Sequence, residues 1–100
     1  MKEIISISNT TKDILKFRKL LKPYTKLVDL WDFNKSEVDL PRAEQALTVY
    51  SHGECVLLRF FLGAWLGENK YQFDIFEAVR ILEKEDIDMI STWIQDPFWP

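Results

Sequence analysis

His52 and Cys55 are the residues whose types and spacing come closest to a chemical site. They stand three residues apart at the start of an apolar segment, about one helical turn. Such a pair could ligate zinc, and a thiol near a helix N-terminus has a lowered pKa. The sequence holds no second His or Cys, so zinc would need carboxylates to complete four ligands. We interpret the pair as a partly buried Cys and a His near a helix start, and we predict no metal and no cofactor.

Catalysis finds little support among the other polar residues. A Cys–His nucleophile needs a further group to orient the imidazole, and acid–base catalysis needs two carboxylates in one pocket. Asp86 and Asp88 point to different sides of a helix, whereas Asp29 and Asp32 share a side only if residues 26–33 are helical. The glycines are scattered and form no phosphate-binding loop: Gly53, Gly63 and Gly67. We predict that the protein is not an enzyme.

Charge is unevenly distributed along the chain. The net charge is −3, but residues 71–100 alone hold two basic and seven acidic side chains, a net charge of −5. An acidic region disfavours contact with phosphate backbones and favours a basic partner. The alternative is that these carboxylates form ordinary solvated helix faces. We predict that the partner is another protein with a basic surface.

The acidic third also contains an aromatic segment. Prolines flank Phe98 and Trp99, and no helical periodicity could bury both rings. Either the rings fold back onto the core, or they form an exposed anchor of the kind that dominates binding hot spots. The predicted partner-binding surface combines the acidic and aromatic residues: Glu83, Glu85, Asp86, Asp88, Phe98 and Trp99.

Residues 74–95 present the pattern that points to nucleic acid. Two apolar-periodic segments separated by a turn are typical of a helix-turn-helix pair. A recognition helix offers Arg, Lys, Asn or Gln to base edges, whereas this one starts with Asp86 and Asp88. A DNA-binding transcriptional regulator is therefore the alternative function, with the Lys-rich segment 12–22 on phosphates. Contact with nucleic acid is not our expectation.

A helix predicted between Ser51 and Gly67 must position these candidates. Its apolar residues occur on nearly every side, and such a helix is stable in water only if other elements wrap it. Ser51 and Glu54 form a capping box, and Gly67 suits the left-handed position after the last turn. The sequence therefore predicts a buried central helix over about 52–66.

Capping residues and apolar spacing predict further helices. Residues 9–11 would cap a basic amphipathic helix that Pro23 ends, and Pro41 suits the first turn of another. Asp74 starts a third, and residues 83–86 are interpreted as a charged break before the last one. In the helix after Asp74, the spacing assigns four residues to the core-facing side: Ile75, Phe76, Val79 and Leu82.

Two segments are less regular. Residues 3–7 are interpreted as a short strand or an extended lead-in. Residues 26–33 are interpreted as a short helix with Thr25 as its cap. No Gly-rich or Ser-rich linker separates either segment from the rest, so we see no domain boundary.

Length and composition indicate the class of protein. With 100 residues and 47% hydrophobic content, we predict a single helical domain over 1–100, a compact all-α bundle of four to six short helices. One Cys excludes an intrachain disulfide, and the sequence shows no signal peptide and no apolar segment long enough to cross a bilayer. These features predict a cytoplasmic protein without membrane contact.

The function predicted from these observations is a small non-enzymatic protein-binding module. It would act as a regulator, inhibitor or adaptor through its acidic and aromatic C-terminal surface. A homodimer through leftover apolar surface is a further expectation, because 14% aromatic residues exceed what 100 residues readily cover.

Overall fold

The central segment of the chain forms the helix against which the other elements pack. A computed structural model describes residues 2–100, with side chains from Thr11 onward. It contains a short antiparallel hairpin, β1 (Trp31–Asp32) and β2 (Glu37–Val38), in which Trp31 pairs with Val38. The helices of these residues are α1 (Lys2–Leu21), α2 (Thr25–Val28), α3 (Leu40–Val49), α4 (His52–Leu66), α5 (Ile75–Ile81) and α6 (Lys84–Gln95). The predicted all-α class is confirmed.

Helix α4 begins and ends as the sequence predicts. The Ser51 hydroxyl accepts a hydrogen bond from Glu54 N at 3.3 Å, and Glu54 Oε1 accepts one from Ser51 N at 3.0 Å. Gly67 ends the helix with φ +73°. The prediction of a buried central helix is confirmed, because buried side chains follow one another along most of its length: Cys55, Val56, Leu57, Leu58, Phe60, Phe61, Leu62 and Ala64.

Two groups of aromatic rings pack against two sides of α4. In the first, the ring centroid of Phe17 lies 5.0 Å from that of Trp65 and 5.7 Å from that of Phe61. In the second, Phe60 lies 5.3 Å from Trp93 of α6. Ring pairs of this kind contribute about 0.5–1.5 kcal/mol beyond the burial of their area. The first group fills the interior, whereas the second reaches the surface.

Helix α1 is longer than the sequence predicts. It begins at Lys2, so residues 3–7 are helical rather than extended, and residues 9–11 lie inside the helix rather than at its start. A helix that has formed one turn gains a hydrogen bond with each further residue. An extended segment would lack a neighbour, because the two strands of the described residues pair with each other. Pro23 follows the end of the helix, as predicted.

The segment predicted as a helix over 26–33 folds differently. Helix α2 ends after four residues, and Thr25 is its first residue rather than its cap. The Asp32 carboxylate then accepts hydrogen bonds from Asn34 N at 3.0 Å and Lys35 N at 3.1 Å. Such a local bond offers the backbone an alternative to the helix. Asp29 and Asp32 therefore do not share a helical side.

The later helices start at or near the predicted residues. Asp39 Oδ1 accepts a hydrogen bond from Arg42 N at 3.1 Å before α3, and Asp74 Oδ1 accepts one at 2.8 Å from the first turn of α5. Helix α6 begins at Lys84, so the charged stretch 83–86 is a helix start rather than a break. The reason is electrostatic, because the positive end of the helix dipole stabilises acidic side chains in the first turn.

The dimensions of the chain are those of a compact fold. Its radius of gyration is 13.7 Å, close to the value of about 13 Å expected for a folded chain of this length. None of the helices formed by residues 2–100 combines the length and the apolar character needed to cross a membrane.

Candidate functional site

The structure separates the roles of His52 and Cys55. The Cys55 thiol is buried and donates to Leu47 O at 3.4 Å and Tyr50 O at 3.5 Å. Desolvation by burial raises the pKa of this thiol, whereas proximity to a helix N-terminus alone would lower it. The His52 ring is exposed, and its Nε2 lies 2.9 Å from Glu77 Oε2 of α5. Within the described part of the chain, no three His, Cys, Asp or Glu side chains cluster as metal ligands.

The four acidic residues predicted to bind a partner lie at the N-terminal end of α6. Asp86 Oδ1 accepts a hydrogen bond from the Tyr24 hydroxyl at 2.7 Å; burial and then this bond raise the pKa of Tyr24. Asp88 Oδ2 lies 2.7 Å from the ammonium of a lysine one turn earlier. Glu83 and Glu85 are exposed, and their side chains make no hydrogen bond or ion pair with a residue that the structure describes. Two of the four therefore already have partners inside the fold.

Phe98 and Trp99 lie beyond the opposite end of α6. The helix has 12 residues, a length of about 18 Å at 1.5 Å per residue, which separates the acidic from the aromatic part of the predicted surface. Phe98 is half-buried, and its carbonyl accepts a hydrogen bond from Trp93 Nε1 at 3.1 Å. Trp99 stands edge-on to Trp93 with 5.0 Å between centroids, yet its side chain is 53% exposed. Phe98 folds back onto the core, whereas Trp99 lies at the surface.

Helix α5 turns most of its apolar side outward, contrary to the prediction. Of the predicted core-facing residues, Leu82 packs against the core. The other three are exposed by 40%, 78% and 62% respectively: Ile75, Phe76 and Val79. The small side chain of Ala78 is fully buried, and the Glu77 carboxylate contacts two side chains of α4. The polar and small side of α5 therefore faces α4, which leaves its larger apolar residues without cover.

Exposed apolar side chains concentrate in the C-terminal third. Eight large apolar side chains are exposed in the described part of the chain, and six of these lie between residues 75 and 99: Ile75, Phe76, Val79, Ile81, Ile94 and Trp99. Single exposed apolar residues are ordinary on protein surfaces. A concentration of them in one region is typical of an interaction surface.

Three of these exposed residues, Ile75, Ile94 and Trp99, line an open groove of about 400 Å³. Helix α4 contributes Gly63 and Ala64, whose small size leaves space between the larger groups around them. Aromatic rings line the groove and pack edge-on against one another. The centroids of Phe60 and Phe73, for example, are 5.5 Å apart. We call this groove the apolar groove, and its lining residues are Phe60, Gly63, Ala64, Glu68, Asn69, Phe73, Ile75, Trp93, Ile94 and Trp99.

The few polar groups of the apolar groove are mostly occupied. Asn69 Nδ2 donates to Phe73 O at 3.0 Å, and Asn69 Oδ1 accepts from Phe73 N at 2.7 Å. Trp93 Nε1 is likewise bonded, to the carbonyl of Phe98. The Glu68 side chain has no hydrogen bond or ion pair within the described residues. The groove thus offers almost wholly apolar contact, with the exposed Glu68 among its lining residues, which suits a large apolar group near a positive charge.

Helices α5 and α6 form the pair considered for DNA binding. Leu82 and Glu83 alone connect them, whereas the turn of a helix-turn-helix has about three or four residues. Helix α6 includes Lys84, a cation within the stretch 83–86 that was predicted to be a charged break. That lysine pairs with Asp88, and Glu85 and Asp86 occupy the same first turn. The end of α6 that would read bases is therefore acidic.

Fold and site together define a small all-α protein with an apolar groove at its surface. No protein-family model, curated protein or solved structure matches the chain. The function is accordingly argued from the chemistry of the groove.

Of the residues that line the apolar groove, Trp99 is the one that the sequence predicted to bind a partner. Apolar spacing assigned Ile75, Phe76 and Val79 to the core-facing side of a helix, and Ile94 lies in the apolar-periodic segment 74–95 with no signal that distinguishes it. Ile94 is 51% exposed in the structure. One signal in the sequence could have indicated which side of α5 is buried. Ala78 is the small residue among large ones in this short helix. A helix of seven residues buries one side at most, and a small residue permits the closest approach.

Proposed function

We propose that the protein is a non-catalytic protein-binding module, a regulator, inhibitor or adaptor, that holds a segment of another protein in the apolar groove. The observation that carries this proposal is the apolar groove, along which Ile75, Ile94 and Trp99 are exposed. Exposed apolar surface costs about 25 cal/mol per Å² relative to burial, so a partner that covers it gains binding free energy. Trp93, which Trp99 contacts edge-on, supplies the aromatic surface on which binding hot spots are usually built.

Charge indicates which partner the groove fits. Residues 71–100 have a net charge of −5, and Glu68 at the groove is unpaired within the described chain. Two copies joined through this surface would bring two such charges together, which is unfavourable. A partner with basic residues beside its apolar anchors has the complementary charge. We therefore propose an amphipathic helix with apolar residues at i, i+3 or i+4, and i+7, flanked by Lys or Arg.

The acidic residues predicted from the sequence have a secondary part in this proposal. Glu83 and Glu85 are exposed, but α6 separates them from Trp99 by most of its length of about 18 Å. Charges at that distance guide the approach of a basic partner more than they contribute to affinity. Phe98 packs against the core and keeps Trp99 beside the groove.

The competing functions have less support from the described residues. Glu77 pairs with the His52 imidazole as an orienting carboxylate would, but the Cys55 thiol is buried and donates to backbone carbonyls, so it offers this imidazole no nucleophile. For the DNA-binding alternative, the test is fluorescence anisotropy of a labelled random duplex at low salt. We expect that the protein does not bind the duplex. Tight binding that weakens steeply with added salt would favour the DNA-binding alternative instead.

Peptide display tests the proposed partner chemistry directly. A library of random peptides is selected on the wild type, with Ile94→Asp as the groove variant. Val49→Asp is the matched control, because Val49 is 71% exposed but does not line the groove. We expect enriched peptides with helical apolar spacing and basic flanks that bind the control but not Ile94→Asp. Acidic peptides, or peptides insensitive to Ile94→Asp, would contradict the proposal.

A further inference from the structure

The segment after α6 is attached to the fold through side chains rather than through backbone–backbone hydrogen bonds. Residues 97–100 have no regular secondary structure, and no backbone–backbone hydrogen bond joins them to other described residues. Trp93 Nε1 donates to Phe98 O at 3.1 Å. The Lys16 ammonium lies 5.6 Å from the centroid of the Phe98 ring. Segments with so few backbone bonds open at a small fraction of the free energy of global unfolding.

Trp99 is the member of this segment that enters the apolar groove. Its ring lies edge-on to Trp93 at 5.0 Å, one of the arrangements that aromatic pairs prefer. Its 53% exposure means that the groove covers only about half of the side chain. The free protein therefore already places an aromatic ring against Trp93, although it holds that ring weakly.

We propose that Trp99 is a displaceable competitor within the chain, and that an aromatic anchor of the partner replaces it on Trp93. This inference rests on the proposed function and specifies the partner further. An indole or phenyl ring from an incoming helix would make the same edge-on contact with Trp93. It would also contact Ile94 and Ile75, because those residues line the same groove. The affinity for the partner is then lowered, because the partner must first displace the contact between Trp99 and Trp93.

A small aromatic probe tests the competition. The full chain is labelled with 5-fluorotryptophan, and N-acetyl-L-tryptophanamide is titrated while the fluorine resonance of Trp93 is followed. We expect the probe to bind Trp99→Ala about threefold to tenfold more tightly than the wild type, as the loss of one aromatic pair predicts. In the wild type, the Trp99 resonance should move toward its solvent-exposed position as the probe saturates the groove.

Two controls identify the role of the ring. Trp99→Phe keeps an aromatic competitor, so its affinity for the probe should stay within about twofold of the wild type. The circular dichroism of each variant verifies that the helices are retained. Equal or weaker binding of the probe by Trp99→Ala would overturn the inference, because Trp99 would then be a fixed part of the groove.

Failure of the competitor and failure of the protein-binding function give different results. If peptides selected by display bind the wild type and Trp99→Ala equally, the competitor is refuted and the protein-binding function stands. If no peptide is enriched while the probe prefers Trp99→Ala, the displaceable contact stands and the protein-binding function is refuted.

Discussion

Asp86 was predicted to bind a partner, but its contact with Tyr24 gives it a structural role. The Tyr24 hydroxyl donates to Asp86 at 2.7 Å, and Asp86 lies 62 residues further along the chain. The bond joins the turn after α1 to the start of α6. Sequence spacing contains no information on such a pair, because neither residue belongs to a local motif with the other. The acidic composition therefore predicted more unpaired carboxylates at the start of α6 than the structure has, because Asp86 and Asp88 already have partners.

Tyr24→Phe tests this bond at neutral and alkaline pH. We expect a loss of about 1–2 kcal/mol of unfolding free energy at pH 7, because Asp86 loses its donor. Burial raises the pKa of Tyr24 in the folded protein, whereas the unfolded chain ionises near pH 10. The contribution of Tyr24 is thus complete below about pH 10 and is lost as the pH rises toward the folded-state pKa.

Urea unfolding between about pH 8 and about pH 11 measures the effect. The difference between wild type and Tyr24→Phe should shrink above about pH 10. Tyr50→Phe is the control, because the Tyr50 hydroxyl makes only a long bond of 3.4 Å to Lys26 O. A difference between wild type and Tyr24→Phe that stays constant over this range would contradict the assignment.

Substitution by alanine should stabilise the protein at Gly63 and destabilise it at Gly67. Gly67 ends α4 at φ +73°, so a Cβ there costs about 1–2 kcal/mol. Gly63 lies inside α4, and an added Cβ would meet no atom closer than 3.7 Å. Gly63→Ala should therefore stabilise by about 0.5–1 kcal/mol. Thermal melts should show a rise for Gly63→Ala and a fall for Gly67→Ala, and a fall for both would mean that the groove side of α4 tolerates no added methyl group.

At the scale of elements, the start and end of α4 were predictable because they depend on local chemistry. Ser51, Glu54 and Gly67 satisfy backbone groups of the same helix, so the sequence contains the whole interaction. The outward side of α5 was not predictable in this way. Its apolar spacing is that of a core helix, and only the packing of Ala78 against α4 decides which side is covered. The hairpin after α2 was missed for a similar reason, because Thr25 and the apolar residues after it fit a helix equally well.

Substitutions in α5 distinguish its two sides. Phe76 is 78% exposed and Ala78 is fully buried. Phe76→Ser should change the free energy of unfolding by less than about 0.5 kcal/mol, as exposed substitutions usually do. Ala78→Val should destabilise by about 1–3 kcal/mol, because the added methyl groups overpack the contact with α4. Urea titration of both variants gives the answer, and a large loss for Phe76→Ser would show that the outer side of α5 is covered.

At the scale of the whole molecule, the chain combines a well-filled interior with an uncovered apolar surface. Phe17, Phe61 and Trp65 meet on one side of α4, while Phe60 and Trp93 lead to the groove on another. The heavy aromatic content indicated that some apolar surface would be left over. The location of the uncovered apolar surface could not be predicted, because it depends on how α5 and residues 97–100 pack against the other helices. The net charge of −5 on residues 71–100, which include much of the groove lining, indicates the sign of the partner.

Photocrosslinking in the native cell tests the central claim most directly. A benzophenone amino acid is placed at Ile94 or Ile75, which line the groove, and at Val49 as the exposed apolar control. We predict that Ile94 and Ile75, but not Val49, crosslink to a polypeptide whose attached segment is apolar with basic flanks, as read by mass spectrometry. Crosslinks from Val49 alone, to a second copy of this chain, or to nothing would contradict a basic partner held in the apolar groove.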